Sequence, residues 1–274
     1  ALALRPGFGD ALANRALAFL RKGDYAKGWT EYEHRFAAGG KLHRSVGLPV
    51  WRGEPLQGKS VVVLSEQGVG DEIMFASCLP DLLAVAGRVT VACEARLTEL
   101  FQRSFQAAVV LPRESAEGTP PAAPVAADFE ISIGSLPLRF RPTADSFPLT
   151  GAYLKADAEK LEHWRQLCIS RGPQLHVGIA WRGGTLRNRQ RLRSLELNDL
   201  ERLTGASGCD WISLQAGDQR ETLEQQMLRG PELVRTRDVA IGDEEDLGAD
   251  LAHLQRTSLD LDVPPAPPDG PPPF

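Results

Sequence analysis

Cysteine is scarce in this chain of 274 residues, which has four: Cys78, Cys93, Cys168 and Cys209. No two of them form a Cys-x-x-Cys pair, so their spacing favours neither a zinc site nor a disulfide framework. The surroundings of Cys78 and Cys93 are apolar, and we expect both to pack as small hydrophobic side chains. This cysteine usage suits a reducing compartment.

The chain also lacks a long apolar run and an excess of positive charge. No apolar run reaches the roughly 18 residues of a transmembrane helix, and no secretory signal opens the sequence. We therefore expect no membrane span and a cytoplasmic location. The net charge of −5 provides no overall basic field for nucleic acid. Hydrophobic and charged fractions of 42% and 24% are typical of a globular protein, and the length allows two modest domains.

The most informative stretch is 60–81. A β-branched run at 60–64 leads to Gly68, Gly70 and Asp71, and a helical pattern follows at once. Glycines at a strand-to-helix turn allow a tight bend and bring backbone N–H groups close to a ligand. Asp71 is then either a helix cap or a carboxylate that faces a ligand crevice. A dinucleotide fingerprint, with Glu94 as its acidic residue, is weak because Ile73 stands where the third glycine belongs.

Two helices are predicted before this stretch. Apolar side chains recur on one helical face over 8–20, and aromatic side chains recur at steps of four, three and four over 24–36. Small residues and Pro6 fit the skeleton of one tetratricopeptide repeat, although a plain helical hairpin fits too. A single repeat must pack on a neighbouring element to be stable.

Strands and helices alternate after the hairpin, which predicts a parallel sheet covered by helices. Pro80 should kink or split the first helix. The second half repeats the alternation from about residue 158, until a proline-rich ending that cannot build a core. The predicted strands are 60–64, 88–93, 107–111, 129–133, 176–181, 210–215 and 232–235, and the helices are 71–86, 95–105, 158–170, 195–204, 219–228 and 243–254.

Five arginines lie within residues 182–193 and follow a predicted strand and a Gly-Gly pair. Planar guanidinium groups match phosphate oxygens, so this cluster predicts a diphosphate site. A solvated basic loop is the alternative. RNA binding is less favoured, because no aromatic residues alternate with the arginines.

Several short motifs stand in a fixed order. They are Trp51–Lys59, the glycine turn, Ser135-Leu136-Pro137, Val177–Trp181, Arg193-Ser194 and Ser213-Leu214-Gln215. This order, over roughly residues 1–250, resembles bacterial tetratricopeptide-repeat proteins that end in a glycosyltransferase module. That module is similar to the heptosyltransferases and, more distantly, to the protein O-GlcNAc transferases.

The resemblance implies a GT-B architecture, in which two Rossmann-like domains bind the acceptor and the nucleotide-sugar. On that basis we expect a tetratricopeptide-like hairpin over 1–38, an acceptor-side domain over 50–150, a partial donor-side domain over 151–254 and a disordered tail over 255–274. Members of this family continue further, and the chain begins with Ala inside a repeat-like pattern. We therefore expect a piece that is shortened at both ends and transfers little sugar by itself.

The resemblance also implies roles for individual residues. Asp71 matches the proposed general base, and Glu66 is a second carboxylate that orients the acceptor or tunes Asp71. Arg193 matches the basic residue that meets the donor phosphates. We expect no metal and no cofactor besides the nucleotide-sugar, since no Asp-x-Asp pair stands at a predicted strand end. The further substrate-binding candidates are Gly68, Gly70, Arg182, Arg187 and Gln215.

A non-catalytic interaction protein is the competing hypothesis. Repeat helices bind peptides and partner proteins, and the incomplete second domain would then be vestigial. Binding of a nucleotide-sugar, measured by calorimetry, separates the two hypotheses. The expected partners are a nucleotide-sugar and a glycan or protein acceptor, together with a protein partner bound through the repeat helices.

Overall fold

A computed structural model describes residues 1–37, 45–113, 126–148, 151–181, 194–195 and 208–214 of the chain. The chain divides into two compact units, Ala1–Lys155 and Ala156–Phe274. The predicted domain bounds of 1–38, 50–150, 151–254 and 255–274 stay a prediction.

The first unit begins with two helices that pack against each other, α1 (Gly9–Arg21) and α2 (Tyr25–Tyr32), followed by a short 3₁₀ turn at Glu33–Phe36. The chain reverses at Gly23, whose φ of 79° lies in the left-handed region that favours glycine. Asp24 then caps α2 by accepting a hydrogen bond from the Lys27 N–H. The predicted pair of helices is present, and the aromatic side chains of α2 point toward the sheet domain, where Trp29 contacts Phe75.

The sheet of the first unit is four-stranded and entirely parallel, in the order β3-β2-β1-β4. Runs of β-branched and apolar residues form its centre, and the side chains of Val61, Val62 and Val63 are all at most 1% exposed. This confirms the predicted α/β class with a parallel sheet, and the strand at 60–64 pairs directly with the strand at 129–132. The strands are β1 (Ser60–Leu64), β2 (Arg88–Cys93), β3 (Ala108–Pro112) and β4 (Phe129–Ser132).

The helix predicted over 71–86 is split, as Pro80 requires. Helix α3 (Val69–Ala76) ends before Ser77, and α4 (Leu79–Val85) begins with Pro80 in its first turn, where a missing N–H costs nothing. The later helices of this unit are α5 (Thr98–Ser104) and the short α6 (Pro137–Phe140). Each connects or follows parallel strands, so the carboxyl ends of all four strands lie at one edge of the sheet.

A strap of residues 45–53 covers the free side of β4. Val50 forms a parallel bridge with Glu130, and the Trp51 N–H donates to the Glu130 carbonyl at 2.8 Å. The Glu130 carboxylate accepts three more hydrogen bonds, from the Ser45 hydroxyl and the N–H groups of Val46 and Leu48. These bonds satisfy a side chain that is only 2% exposed.

The second unit contributes helix α7 (Ala158–Arg171) and two parallel strands, β5 (Leu175–Ile179) and β6 (Cys209–Ser213). Asp210 receives hydrogen bonds from Arg171 and joins His176 Nδ1 at 2.9 Å. Most of the remaining predictions for the second half lie outside the described residues. They are the elements at 195–204 (except Leu195), 219–228, 232–235 and 243–254 and the tail at 255–274.

Within the described ranges, no helix combines the length and the apolar character needed to cross a bilayer. All four cysteines are free. Cys78 and Cys93 are buried, which confirms their predicted packing, and burial raises the pKa of their thiols to about 11 and about 12.

Gly87 is a point where the fold tolerates no side chain. A Cβ at this position would lie 2.8 Å from the backbone Cα of Gly58, and the Gly87 N–H also donates to the carbonyls of Leu56 and Lys59. We expect Gly87→Ala to lower the free energy of unfolding by about 1–3 kcal/mol, as overpacking does. Urea denaturation measures this, with Gly7→Ala as the control, because a Cβ at Gly7 meets no atom within 4 Å. Equal stability of the two variants would contradict the packing described for this turn.

Candidate active site at the carboxyl edge of the sheet

The turn between β1 and α3 lies at the carboxyl edge of the sheet, where the sequence predicted a site. Its bend differs from the expected one. The left-handed residue is Gln67, with φ 63°, whereas Gly68 has an extended backbone with φ −99°. Gly68 and Gly70 are exposed, and a Cβ on Gly70 would meet no atom within 4 Å. The glycines therefore leave open space at the turn, and Gln67 makes the bend.

Asp71 lies in the first turn of α3 and is half-buried. Its Oδ2 accepts a hydrogen bond from the Gly68 N–H at 3.1 Å, so it caps the helix from inside the first turn. No described residue donates a hydrogen bond to Oδ1. One carboxylate oxygen therefore supports the helix start while the described part of the chain leaves the other open to a ligand, so both sequence interpretations of Asp71 stay open.

Glu66 is placed differently from the acceptor-orienting carboxylate that we expected. Its side chain is 1% exposed and forms an ion pair with Arg35, in which Nη2 lies 2.6 Å from Oε1 and Nε lies 3.1 Å from Oε2. The Gly134 N–H donates to Oε1 at 3.0 Å. This pairing gives Glu66 a structural role under the turn, and a catalytic role for it stays a prediction.

Arg35 links three parts of the first unit. It belongs to the 3₁₀ turn after α2, and its guanidinium donates to Glu66, to the Ser135 hydroxyl at 2.8 Å and to Glu33 at 2.8 Å. Burial lowers the pKa of Arg35, but the hydrogen bonds and charges of Glu66 and Glu33 outweigh burial and raise this pKa above its ordinary value. The helical pair is thus bound to the ends of β1 and β4 through one buried cation.

A second bond joins the helices to the same turn. The Gln67 side-chain amide donates to the Tyr32 hydroxyl at 2.7 Å. A left-handed backbone at a residue other than glycine is uncommon and persists where the surroundings hold it in place. The bond between Tyr32 and the Gln67 side chain, and the ion pair between Arg35 and the preceding residue Glu66, are two such restraints, so α2 and its 3₁₀ turn position the candidate site.

A second ionic cluster lies at the carboxyl ends of β2 and β3. Glu72 is fully buried on α3, and its Oε2 accepts the Glu94 N–H at 2.9 Å. Arg113 lies 3.2 Å from Glu72 Oε1 and donates through Nε to Glu94 at 3.0 Å. Burial raises the pKa of Glu72 to about 7, although the Glu94 N–H and the Arg113 charge oppose that increase. Glu94 therefore forms an ion pair with Arg113 instead of presenting a free carboxylate to a ribose, which is a further argument against a dinucleotide site.

The structure brings together Asp71, Glu66, Gly68 and Gly70 within one turn. The predicted donor-side residues Arg182, Arg187, Arg193 and Gln215 lie outside the described residues. Among the residues that are described, no group of three His, Cys, Asp or Glu side chains could hold a metal ion.

Sequence reasoning missed Arg35, Tyr32, Glu72 and Arg113. The sequence places Tyr32 only among the aromatic residues that recur on a predicted helix, and it gives no role to Arg35, Glu72 or Arg113. A faint signal exists for Glu72, because a charged residue in the first turn of a helix that packs on the sheet needs a partner once it is buried. No local pattern indicates that the partner is Arg113, which lies 41 residues further along the chain.

Comparison with known proteins finds a relative of part of the chain. Over 223 residues the chain is 33% identical to Protein FlbA of Caulobacter vibrioides. The aligned region covers 76% of this chain and 37% of FlbA, so the chain spans little more than a third of that relative's length. No protein-family model matches the chain, and no solved structure matches it at a significant level.

The raised pKa of Glu72 predicts a pH dependence of stability. Between its ordinary pKa of 4.5 and its folded pKa of about 7, the folded protein holds a proton that the unfolded chain has lost. The free energy of unfolding therefore falls as the pH rises through this window, by about 3 kcal/mol for a shift of this size. We expect Glu72→Gln, which is neutral at every pH, to remove this decline, so that it gains stability over the unmodified protein between pH 5 and pH 8.

Urea denaturation at several pH values measures the difference. Glu99→Gln is the control, since Glu99 is an exposed glutamate on α5. A Glu72→Gln curve parallel to that of the unmodified protein would show that Glu72 is ionised throughout the window.

Proposed function

We propose that the chain is part of a GT-B glycosyltransferase, which moves a sugar from a nucleotide-sugar to an acceptor hydroxyl. In this proposal α1 and α2 form a tetratricopeptide-like hairpin, and the parallel sheet of the first unit is the acceptor-side domain. The observation that carries the proposal is the position of Asp71. Its carboxylate lies at the carboxyl edge of a parallel sheet, where such folds bind ligands, next to an exposed glycine turn.

The chemistry that we assign to Asp71 is general base catalysis. Its free Oδ1 takes the proton of the acceptor hydroxyl while the acceptor oxygen bonds to the anomeric carbon of the donor sugar. The bond between that carbon and the diphosphate oxygen breaks, and the nucleoside diphosphate leaves with the electron pair. The cap bond from Gly68 to Oδ2 fixes the carboxylate without occupying the oxygen that receives the proton.

The departing diphosphate needs positive charge. We assign this to Arg193, supported by Arg182 and Arg187, with Gln215 as a further contact to the nucleotide. These assignments depend on the resemblance and on the chemistry of guanidinium groups. The proposed location is cytoplasmic, in keeping with four free cysteines.

A non-catalytic interaction protein is the second candidate, and a specific observation favours it. Both carboxylates at the turn have structural partners, since Asp71 caps α3 and Glu66 neutralises Arg35. The turn would then be a stable support for the helices, which would contact a partner protein.

Replacement of Asp71 by Asn tests the proposal while it preserves the cap. The Asn amide oxygen still accepts the Gly68 N–H, but it takes up no proton. We expect Asp71→Asn to lower turnover by about 10²–10⁴, the usual span for a general base, with little change in donor binding. The measurement is release of nucleoside diphosphate from a panel of nucleotide-sugars, with donor affinity by calorimetry, in the longest natural form of the protein.

Asp10→Asn is the matched control, because Asp10 is an exposed aspartate in the first turn of α1. Unchanged turnover in Asp71→Asn would reduce Asp71 to a helix cap. Absence of both donor binding and turnover in the unmodified protein would favour the interaction protein instead.

A further inference from the structure

A pocket of about 270 Å³ lies beside the edge strand β4. Its walls come from the 3₁₀ turn after α2, the strap, the end of β4 and α6, and none of its lining residues belongs to the turn that carries Asp71. Its volume is at the small end of ligand pockets, which are typically about 300–1,000 Å³. It is large enough for a ligand the size of a monosaccharide.

The two carboxylates of the pocket are already paired. Glu130 accepts hydrogen bonds from Ser45, Val46 and Leu48, as described for the strap. Glu33 lies 2.8 Å from Arg35 and accepts the Ser135 hydroxyl. Neither carboxylate forms an ion pair with the two arginines of the pocket, Arg52 and Arg139.

These two arginines are exposed, and no carboxylate of a described residue lies within 4 Å of either guanidinium. Glu54 is an opposing charge in the neighbourhood: the backbone N–H groups of Glu54 and Arg52, the latter at 2.6 Å, and then the charges of Arg139 and Arg52 lower the pKa of its carboxyl. The positive charge at the pocket is therefore available to a ligand.

The strap is shaped around one of these arginines. Gly53 has a φ of 107°, and a Cβ at this position would approach Arg139 Nη1 to 3.3 Å. A side chain at Gly53 would thus be strained and would crowd the guanidinium. Next to it, the Trp51 ring is buried and held by a 2.9 Å bond from Nε1 to the Glu54 carbonyl. Trp51, Phe36 and Leu138 give the pocket an apolar wall.

From this arrangement we propose that the pocket binds a small organic anion, namely a carboxylate or phosphate carried on a body the size of a sugar. Arg52 and Arg139 hold the anionic group, since planar guanidinium forks match both kinds of oxygen. The apolar wall accepts the body of the ligand, and Ser132 and Ser135 line the same pocket. This site is separate from the turn of Asp71 and does not depend on glycosyl transfer.

Titration of the ¹⁵N-labelled chain by NMR at low salt tests the proposal. The probes are glucuronate for the carboxylate, glucose 6-phosphate for the phosphate and glucose as the neutral analogue. We expect at least one of the two anions to shift the Trp51 Nε1–H and Gly53 N–H signals. Its dissociation constant should be at least about tenfold lower than that of glucose. If glucuronate binds more tightly, the pocket prefers a carboxylate, and if glucose 6-phosphate does, it prefers a phosphate.

Arg139→Met and Arg52→Met should each weaken binding of that anion about tenfold or more. Arg21→Met is the control, because Arg21 is an exposed arginine at the end of α1. Asp71→Asn should bind as the unmodified chain does, which separates this pocket from the proposed transfer site. The amide spectrum outside the pocket shows that each variant is folded.

The proposal is overturned if neither anion binds, if glucose binds as tightly as they do, or if both arginine variants retain full affinity.

Discussion

The buried ion pair between Arg35 and Glu66 is the contact on which the first unit depends. It removes two charges from water, which is costly, and this cost is offset because their hydrogen bonds are satisfied by one another and by Ser135, Glu33 and the Gly134 N–H. Gly134 is part of the same arrangement, because a Cβ there would lie 2.4 Å from Glu66 Oε1. The pair thus joins α2, the end of β1 and the end of β4 at one point.

Through this contact the two helices hold the connection between β1 and α3 in place. Without Arg35 and Tyr32, Glu66 and Gln67 within the β1–α3 connection would lose their restraints, and the left-handed backbone of Gln67 would have less to hold it. The orientation of Asp71, four residues beyond Gln67, follows from this connection. The helices are therefore better described as a support of the candidate site than as an independent appendage. Any partner that displaces α2 would also alter the turn.

Features that depend on the local sequence pattern, such as strand bounds and a helix break, could be predicted from the sequence. β-Branched and apolar runs predicted β1 and β2 to the residue, and Pro80 predicted the split between α3 and α4. The sequence did not predict what depends on distant residues. Arg35 and Glu66 are 31 positions apart, and nothing near either one indicates the other. The bend at Gln67 was assigned to the glycines, because a left-handed conformation at glutamine arises from tertiary contacts rather than from its own preference.

Arg35 and Glu66 act as one unit, and a double-mutant cycle with Arg35→Met and Glu66→Gln tests this most directly. Arg35→Met leaves the buried Glu66 carboxylate without its cation and should lower the free energy of unfolding by about 3–5 kcal/mol. Glu66→Gln leaves Arg35 with Glu33 as its remaining anion and should lower it less, by about 1–3 kcal/mol. The double variant should lose clearly less than the sum of the two, because neither remaining side chain carries an unpaired charge. Losses that add to within about 0.5 kcal/mol would show that the two residues act independently, and would contradict this account.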